Sequence, residues 1–465
     1  MTSVLTRREL VERAGLAAAA GPLALSHPAS VPKPAPVPPL RVVTVGIEWP
    51  EGVHDQAQLD LGFPIQLQVL DSVQQVEAVL ANPKSFDVFG GYGYQAARVW
   101  FAGHLQPVDT HRIAAWSDLY KLFAWGKLTP GSRCPYGLGD APFRTLFVRK
   151  GTSGLPRSGS DPTRTDEIVQ WVDERTGRPH GGAPMPRYAT GVPAHFAAES
   201  LGYLPEVILR APSHVSWAEL LNVRWKGRVA IQDDPAVALV DLGRAVQALG
   251  IMGFRNVAAM TVAEVDVLTR VLGTYRKRGQ FRAAWSTFND SVNLVASKDV
   301  AIAPLWPSAA ARIAAEGVRV RYAVPPEGYR GSSSSVGIAA HVRSKAGLER
   351  AYAYLNWLHG GFFGATMMRQ GYYVANGGTL EQWIRRFGGS LLQSPFSAAE
   401  FDYWYEGRPA AWALPDVKGK AGAIRRGDKR EGGSLAARMC RTTAWSSYFH
   451  AAGHQAKRFQ EFLSA

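Results

Sequence analysis

Short apolar runs alternating with longer amphipathic stretches fill the chain from Arg41 onward, and this alternation restricts the possible folds more than any other feature. Arg41 to Ile47, Ile65 to Val69 and Phe86 to Phe89 read as brief strands with amphipathic stretches between them. Strand, helix and strand in succession need crossovers that bring each strand back parallel to the last, so an α/β layer is expected. A second series begins after Thr145 to Val148. It runs through Gly227 to Gln232, apolar helices at Ala236 to Leu249 and Val262 to Tyr275, and a strand at Val300 to Trp306. Between the two, Gly151 to Pro186 is rich in Gly, Ser, Pro, Arg and Asp and reads as a surface excursion with one embedded helix around Glu167 to Glu174. Further on come Val318 to Val324 and Ser335 to Ala340. Next is a helix with Leu348, Ala351, Tyr352, Leu355 and Leu358 on one face, and a last helix opens at the N-cap residue Ser434.

Ahead of the first strand, Arg7 and Arg8 precede a short run of alanine, glycine and leucine, the layout of a removable export signal. The run is too short to span a bilayer, and the paired arginines point to the twin-arginine route and hence to the periplasm. His27 to Leu40 is proline-rich without apolar periodicity and reads as a tether. Neither cysteine directly follows the apolar run, so no lipid anchor is expected. Cys134 and Cys440 are too few for a disulfide framework, and the sequence leaves open whether they pair.

The formal charge of +14 raises the question of nucleic acid. The basic residues are scattered among acids and aromatics, and the densest stretch, Lys418 to Arg430, is interrupted by glycine and reads as a solvated loop, so no nucleic-acid partner is expected. Gly91-Tyr92-Gly93-Tyr94-Gln95-Ala96 superficially matches a dinucleotide fingerprint. Bulky tyrosines, a third-strand position and the absence of an acid at the ribose distance argue instead for a tight turn that shows Tyr94 to a cleft. His450 and His454 stand four apart with no acid between them and no evident third ligand, and read as surface or packing residues. No serine-hydrolase elbow, phosphate loop or paired-cysteine metal motif occurs, and no cofactor is implied.

Several passages, in order along the chain, resemble the spermidine/putrescine-type extracellular solute-binding proteins of ABC transporters. These are Phe86-Asp87-Val88 through Tyr94, Leu105-Gln106-Pro107-Val108-Asp109, and Trp225-Lys226-Gly227-Arg228 followed by Asp233-Asp234-Pro235. Val300 to Trp306, Pro325-Pro326-Glu327-Gly328, and Gly371-Tyr372-Tyr373-Val374-Ala375-Asn376 continue the match. The resemblance implies a two-lobe type II clamshell, with residues 41–146 and 332–378 in one lobe and 147–331 and 379–465 in the other. The chain would cross between them near Thr145, near Ser332 and after Asn376.

By position, Trp49, Tyr94, Trp285 and Trp306 match or adjoin the family's cleft aromatics, with core packing as the alternative. Asp234 matches a carboxylate that holds a ligand ammonium, and equally suits the cap of a helix beginning at Pro235. Tyr372 lies in the last matching passage. The departures concern charge: Val237 stands where polyamine binders carry a glutamate, and Ser332-Ser333-Ser334 replaces a tryptophan-x-aspartate. Unpaired ammonium groups are costly to bury, so the expected ligand carries an acceptor or an anion. Ser332, Ser334 and Arg330 are candidates to hold it, with Asp234 or Glu48 left for one amine. The expected protein is thus a monomeric periplasmic receptor serving an inner-membrane permease and its ATPase, without catalysis. The alternative is a secreted enzyme on the same scaffold.

Overall fold

The computed structural model describes residues 37–46, 52–128, 134, 137, 139, 141–149, 167–173, 176–388, 396–446 and 452–465. The paired arginines, the apolar run, Glu48, Trp49 and His450 lie outside the described residues.

The first alternating series forms as read. β1 (Leu40–Val45), α1 (Val53–Leu61), β2 (Ile65–Leu70), α2 (Ser72–Ala81), β3 (Val88–Tyr92) and α3 (Gly93–Phe101) follow one another. β1 lies parallel between β2, where Leu40 meets Ile65, and β3, where Val42 meets Val88. A side path follows: β4 (Leu105–Gln106), β5 (Val108–Asp109), α4 (Lys121–Trp125), β6 (Phe147–Val148) and β7 (Tyr188–Ala189). β5, β7 and β6 make a small antiparallel sheet of their own.

The chain then enters β8 (Val192–Tyr203), buried along its whole length. It continues through β9 (Val229–Gln232), α5 (Pro235–Ala248), α6 (Val262–Lys277), β10 (Phe281–Trp285), α7 (Phe288–Ala296), β11 (Ile302–Leu305), α8 (Pro307–Ala315) and β12 (Arg321–Tyr322) to β13 (Tyr329–Ala339). After β13 come α9 (Lys345–Leu358), α10 (Gly361–Arg369), β14 (Tyr373–Val374), α11 (Gly377–Phe387), α12 (Ala398–Trp404), β15 (Leu414–Pro415), β16 (Ala421–Ile424), α13 (Leu435–Cys440), β17 (Thr442–Trp445) and α14 (Ala452–Ser464).

The main sheet runs β10-β9-β11-β8-β13-β3-β1-β2. Two parallel triplets, β9 to β11 and β1 to β3, flank the central antiparallel pair β8 and β13. Two large apolar clusters are present, and the one around β1 to β3 also takes in Trp285, Val295, Leu305 and Trp306 of the other half. Leu201, Trp217, Leu242, Leu268 and Phe459 pack beside the β9 to β11 half, and Val42, Phe89, Trp100 and Leu355 beside the other.

Where β8 and β13 meet, a charged knot is buried. Arg330 on β13 places Nη1 2.5 Å from Glu199 Oε2 and Nε 2.8 Å from Asp241 Oδ1, and Ser332 Oγ donates to Glu199 Oε1 at 2.6 Å. Burial alone would lower the Arg330 pKa, but Asp241 and Glu199 outweigh it and hold the guanidinium charged. Burial pushes the Asp241 carboxyl above its usual range. Such a knot is tolerable in the interior only because its charges are paired.

Three expectations differ from the structure. Among the described residues 167–173 no α-helix forms; Ile168 bridges to Val148 and Val172 to Pro179 instead, edge pairings that this Pro- and Gly-rich stretch accommodates more readily than a helix. Residues 147–148, assigned by the resemblance to the second lobe, form β6 and pair with β7 beside the first series. The chain passes between halves inside β8 and not near Thr145: residues 192–199 pair with β13 and residues 200–203 with β11. The cysteines do pair. Cys134 and Cys440, 306 residues apart in sequence, form a disulfide with Cα atoms 4.7 Å apart.

Candidate functional site

Parallel strands in both halves end at one cleft, the place where sheets of this kind leave a crevice for a ligand. The ends of β2, β3, β10 and β11 lead within two residues into helices, and the turning residue faces the cleft or caps the helix beside it. β2 ends at Asp71, whose carboxylate accepts from Gln74 N–H at 2.8 Å and caps α2. β3 ends at Tyr92, which precedes α3. β10 leads through Ser286 to Thr287, which forms a capping box with Asp290 at the start of α7. β11 leads to Trp306, with Pro307 in the first turn of α8.

The resulting cavity, of about 850 Å³, is lined from the β1 to β3 half by Val45, Gly46, Val69, Leu70, Asp71 and Tyr92. From the other half come Ser286, Thr287, Phe288, Asn289, Trp306, Ser308 and Arg312. A third wall combines one face of α10 (Phe362, Thr366 and Arg369, with the adjoining Gln370) with Phe396 and residues 417–419 at the turn between β15 and β16.

Trp306 is the centre of an aromatic cluster. Its ring lies 6.4 Å from Phe288 at 7° and 6.4 Å from Tyr92 at 27°, while Trp285 meets it edge-on at 4.9 Å and 78°. Stacked rings joined from both halves offer a flat apolar surface to a bound solute.

Of the described residues singled out from sequence as ligand-binding, Trp306 alone lines this cavity. Trp285 is fully buried behind it. Tyr94 points away: its hydroxyl donates to Asp234 Oδ2 at 2.6 Å, a direct bond between the helix after β3 and the turn after β9. The other Asp234 oxygen accepts from Ala236 N–H at 3.0 Å and caps α5, so both alternatives for this residue resolve into protein contacts. Ser332 is engaged by Glu199. Ser334 is buried and opens on a separate small cavity beside Gly93 and Trp100. Tyr372 is buried, with its hydroxyl 3.3 Å from Ser308 Oγ. Arg330 belongs to the charged knot, out of reach of a ligand.

Gly91 is explained by packing and not by phosphate approach: a Cβ there would stand 3.0 Å from Gln95 Oε1 and from Phe89 Cε1. His454 bonds Asp266 Oδ1 at 2.9 Å. Among the described residues no cluster of ligating side chains could hold a metal, and no helix is long and apolar enough to cross a membrane.

The residues missed were Tyr92, Phe288, Arg312, Phe362, Thr366, Arg369, Phe396 and Lys418. Only the i, i+4, i+7 spacing of Phe362, Thr366 and Arg369 offered a readable signal.

No curated protein matches the chain. Solved structures do, through fold. The spermidine/putrescine ABC transporter substrate-binding protein PotD of Streptococcus pneumoniae, in complex with calcium and HEPES, is 12% identical. The alignment covers 91% of this chain and 98% of that one at a TM-score of 0.52. A protein of Listeria monocytogenes described as a spermidine/putrescine ABC transporter is 13% identical over the same shares, with a TM-score of 0.54. The Tp0655 (TpPotD) lipoprotein of Treponema pallidum is also 13% identical, covers 91% of this chain and 98% of its own, and gives 0.51. At these identities the likeness concerns the fold. The family model for bacterial extracellular solute-binding proteins matches residues 60–361, well over half of the sequence, and the chain belongs to that family.

Proposed function

We propose that the protein is the periplasmic receptor of an ABC uptake transporter, which takes a small polar solute into the cavity around Trp306 and presents it to an inner-membrane permease and its ATPase. The observation that carries this reading is the cavity itself: about 850 Å³, at the strand ends of both halves, and walled by stacked aromatics. That volume suits a ligand of metabolite size.

β8 and β13 run between the halves and act as the hinge. Lobe 1 is then built on β1 to β3 with the β5-β7-β6 sheet, and lobe 2 on β9 to β11. Closure about such a hinge is a signal that a transporter can sense. Arg7 and Arg8 direct export by the twin-arginine route, and the receptor works as a monomer without a lipid anchor.

The test is a thermal-melting screen of the full chain against amino acids, polyamines, sugars, carboxylates and phosphonates, since a solute that binds only the folded state raises the melting point. One class should shift it, and Trp306→Ala should abolish the shift while keeping a cooperative melt. A screen in which every class leaves the Tm unchanged would sink the receptor reading.

A further inference from the structure

Among the described residues, charge at the cavity is mostly of one sign: the four charged side chains that line it are Asp71, Arg312, Arg369 and Lys418. Two of these are committed to the protein. Asp71 caps α2. Arg369 is buried and clasped by Glu400, with Nε 2.7 Å from Oε1 and Nη2 3.0 Å from Oε2, and its guanidinium lies over the Phe396 ring.

Arg312 and Lys418 are different. Arg312 gives only its Nε to Glu316, at 2.8 Å and one turn along α8, so among the described residues its two Nη groups have no protein acceptor. Lys418 is exposed, and its ammonium pairs with no carboxylate among the described residues. Lys418 sits in the turn between β15 and β16, and β16 packs against α8, the helix that bears Arg312. The same turn covers Arg369, whose Nη1 would lie 3.7 Å from a Cβ placed on Gly419. This hairpin lies outside the residues matched by the family model.

We infer that the cavity holds an anionic solute, a carboxylate or a phosphate-bearing compound with a flat apolar body, and that the β15–β16 hairpin supplies Lys418 to complete an anion subsite with Arg312. This inference rests on the receptor reading. The flat body stacks in the Trp306, Phe288 and Tyr92 cluster, while the two cations neutralise the head group in a cleft where an unpaired charge is costly. A polyamine would meet the opposite situation: Arg312 and Lys418 repel its ammonium groups, and the carboxylates of Asp71 and Asp234 are already occupied by helix caps and the Tyr94 hydroxyl.

The test uses the full chain and its Lys418→Gln and Arg312→Gln variants, titrated by tryptophan fluorescence and thermal melting. The probes are benzoate, succinate, inorganic phosphate and phenyl phosphate, with putrescine, spermidine and glucose as cationic and neutral counterparts. An anionic probe should raise the Tm by about 3 °C or more. Each variant should weaken its Kd about tenfold without moving the unliganded Tm. Comparing phenyl phosphate, inorganic phosphate and the carboxylates tells which head group is preferred. Binding of putrescine, spermidine or glucose in place of the anions overturns the inference and leaves the receptor standing. Anion binding that both variants retain in full overturns the hairpin subsite, and a complete absence of binding overturns receptor and subsite together.

Discussion

Tyr94 and Asp234 illustrate how a residue can match a pattern and spend its chemistry elsewhere. The resemblance matches Tyr94 to a cleft aromatic and leaves Asp234 between a ligand carboxylate and a helix cap. In the structure the tyrosine hydroxyl and the carboxylate satisfy each other at 2.6 Å, tying the helix after β3 to the turn that opens α5. A buried hydrogen bond to a carboxylate is worth about 2 kcal/mol, so Tyr94→Phe should lower stability in urea unfolding by that order while solute affinity stays within twofold. A loss of binding without loss of stability would instead return Tyr94 to the site. Arg330 was legible as a cation near the cleft, but its burial between Glu199 and Asp241 was not, because those partners lie 131 and 89 positions away and share no local pattern with it. Trp306 was legible through the resemblance, which matches its position to the family's cleft aromatics, and the structure sets it at the end of β11 just before Pro307.

At the scale of elements, the junction between α9 and α10 carries a pH dependence of its own. His359 is fully buried there, with Nε2 donating to the Pro193 carbonyl at 2.7 Å, and burial lowers its pKa to about 4. The unfolded chain takes up that proton near pH 6.5, whereas the folded chain refuses it until about pH 4. The stabilisation is therefore intact above pH 6.5 and is lost as the pH falls toward 4, amounting to about 3 kcal/mol across that window. Melting curves from pH 7 to pH 4 should show this fall, and His359→Gln, which keeps a donor near the same carbonyl, should flatten it. An equal slope in the variant would assign the effect to other groups.

Elements were legible where periodicity was strong: β1, β2, α5, α6 and α9 all form where the apolar spacing places them. β8 was not. Its residues, including His195, Glu199 and three alanines, lack both alternation and β-branched enrichment, yet all are buried because β11, β12, β13 and β14 pair with it along both edges. Tertiary pairing, not propensity, makes that strand. The β15–β16 hairpin was hidden for a related reason, since Lys418 to Arg430 has the composition of a solvated loop and the pairing of Leu414 with Ile424 and of Pro415 with Ala421 shows part of it to be structured.

For the whole molecule, the central pair β8 and β13 sets how much freedom the halves have. Under the proposed hinge, closure bends these hydrogen-bonded strands. Small-angle scattering with and without a bound solute should accordingly show a decrease in radius of gyration of about 1 Å or less, as a modest rigid-body rotation predicts. The Cys134–Cys440 link closes a very long loop, and reduction, or the paired Cys134→Ser and Cys440→Ser changes, should cost roughly 2–5 kcal/mol of stability. An unchanged Tm in reductant would show that packing alone holds those segments together.

The same link places the two sulfurs on either side of a cellular boundary in time. Under the proposed route the chain crosses the membrane already folded, leaving a compartment where thiols stay reduced. The bond cannot then steer folding. Cys134 and Cys440 must be brought together by the surrounding packing first, and oxidation afterwards acts as a seal: it converts an assembly that equilibrium alone maintains into one that a harsher exterior finds slow to open.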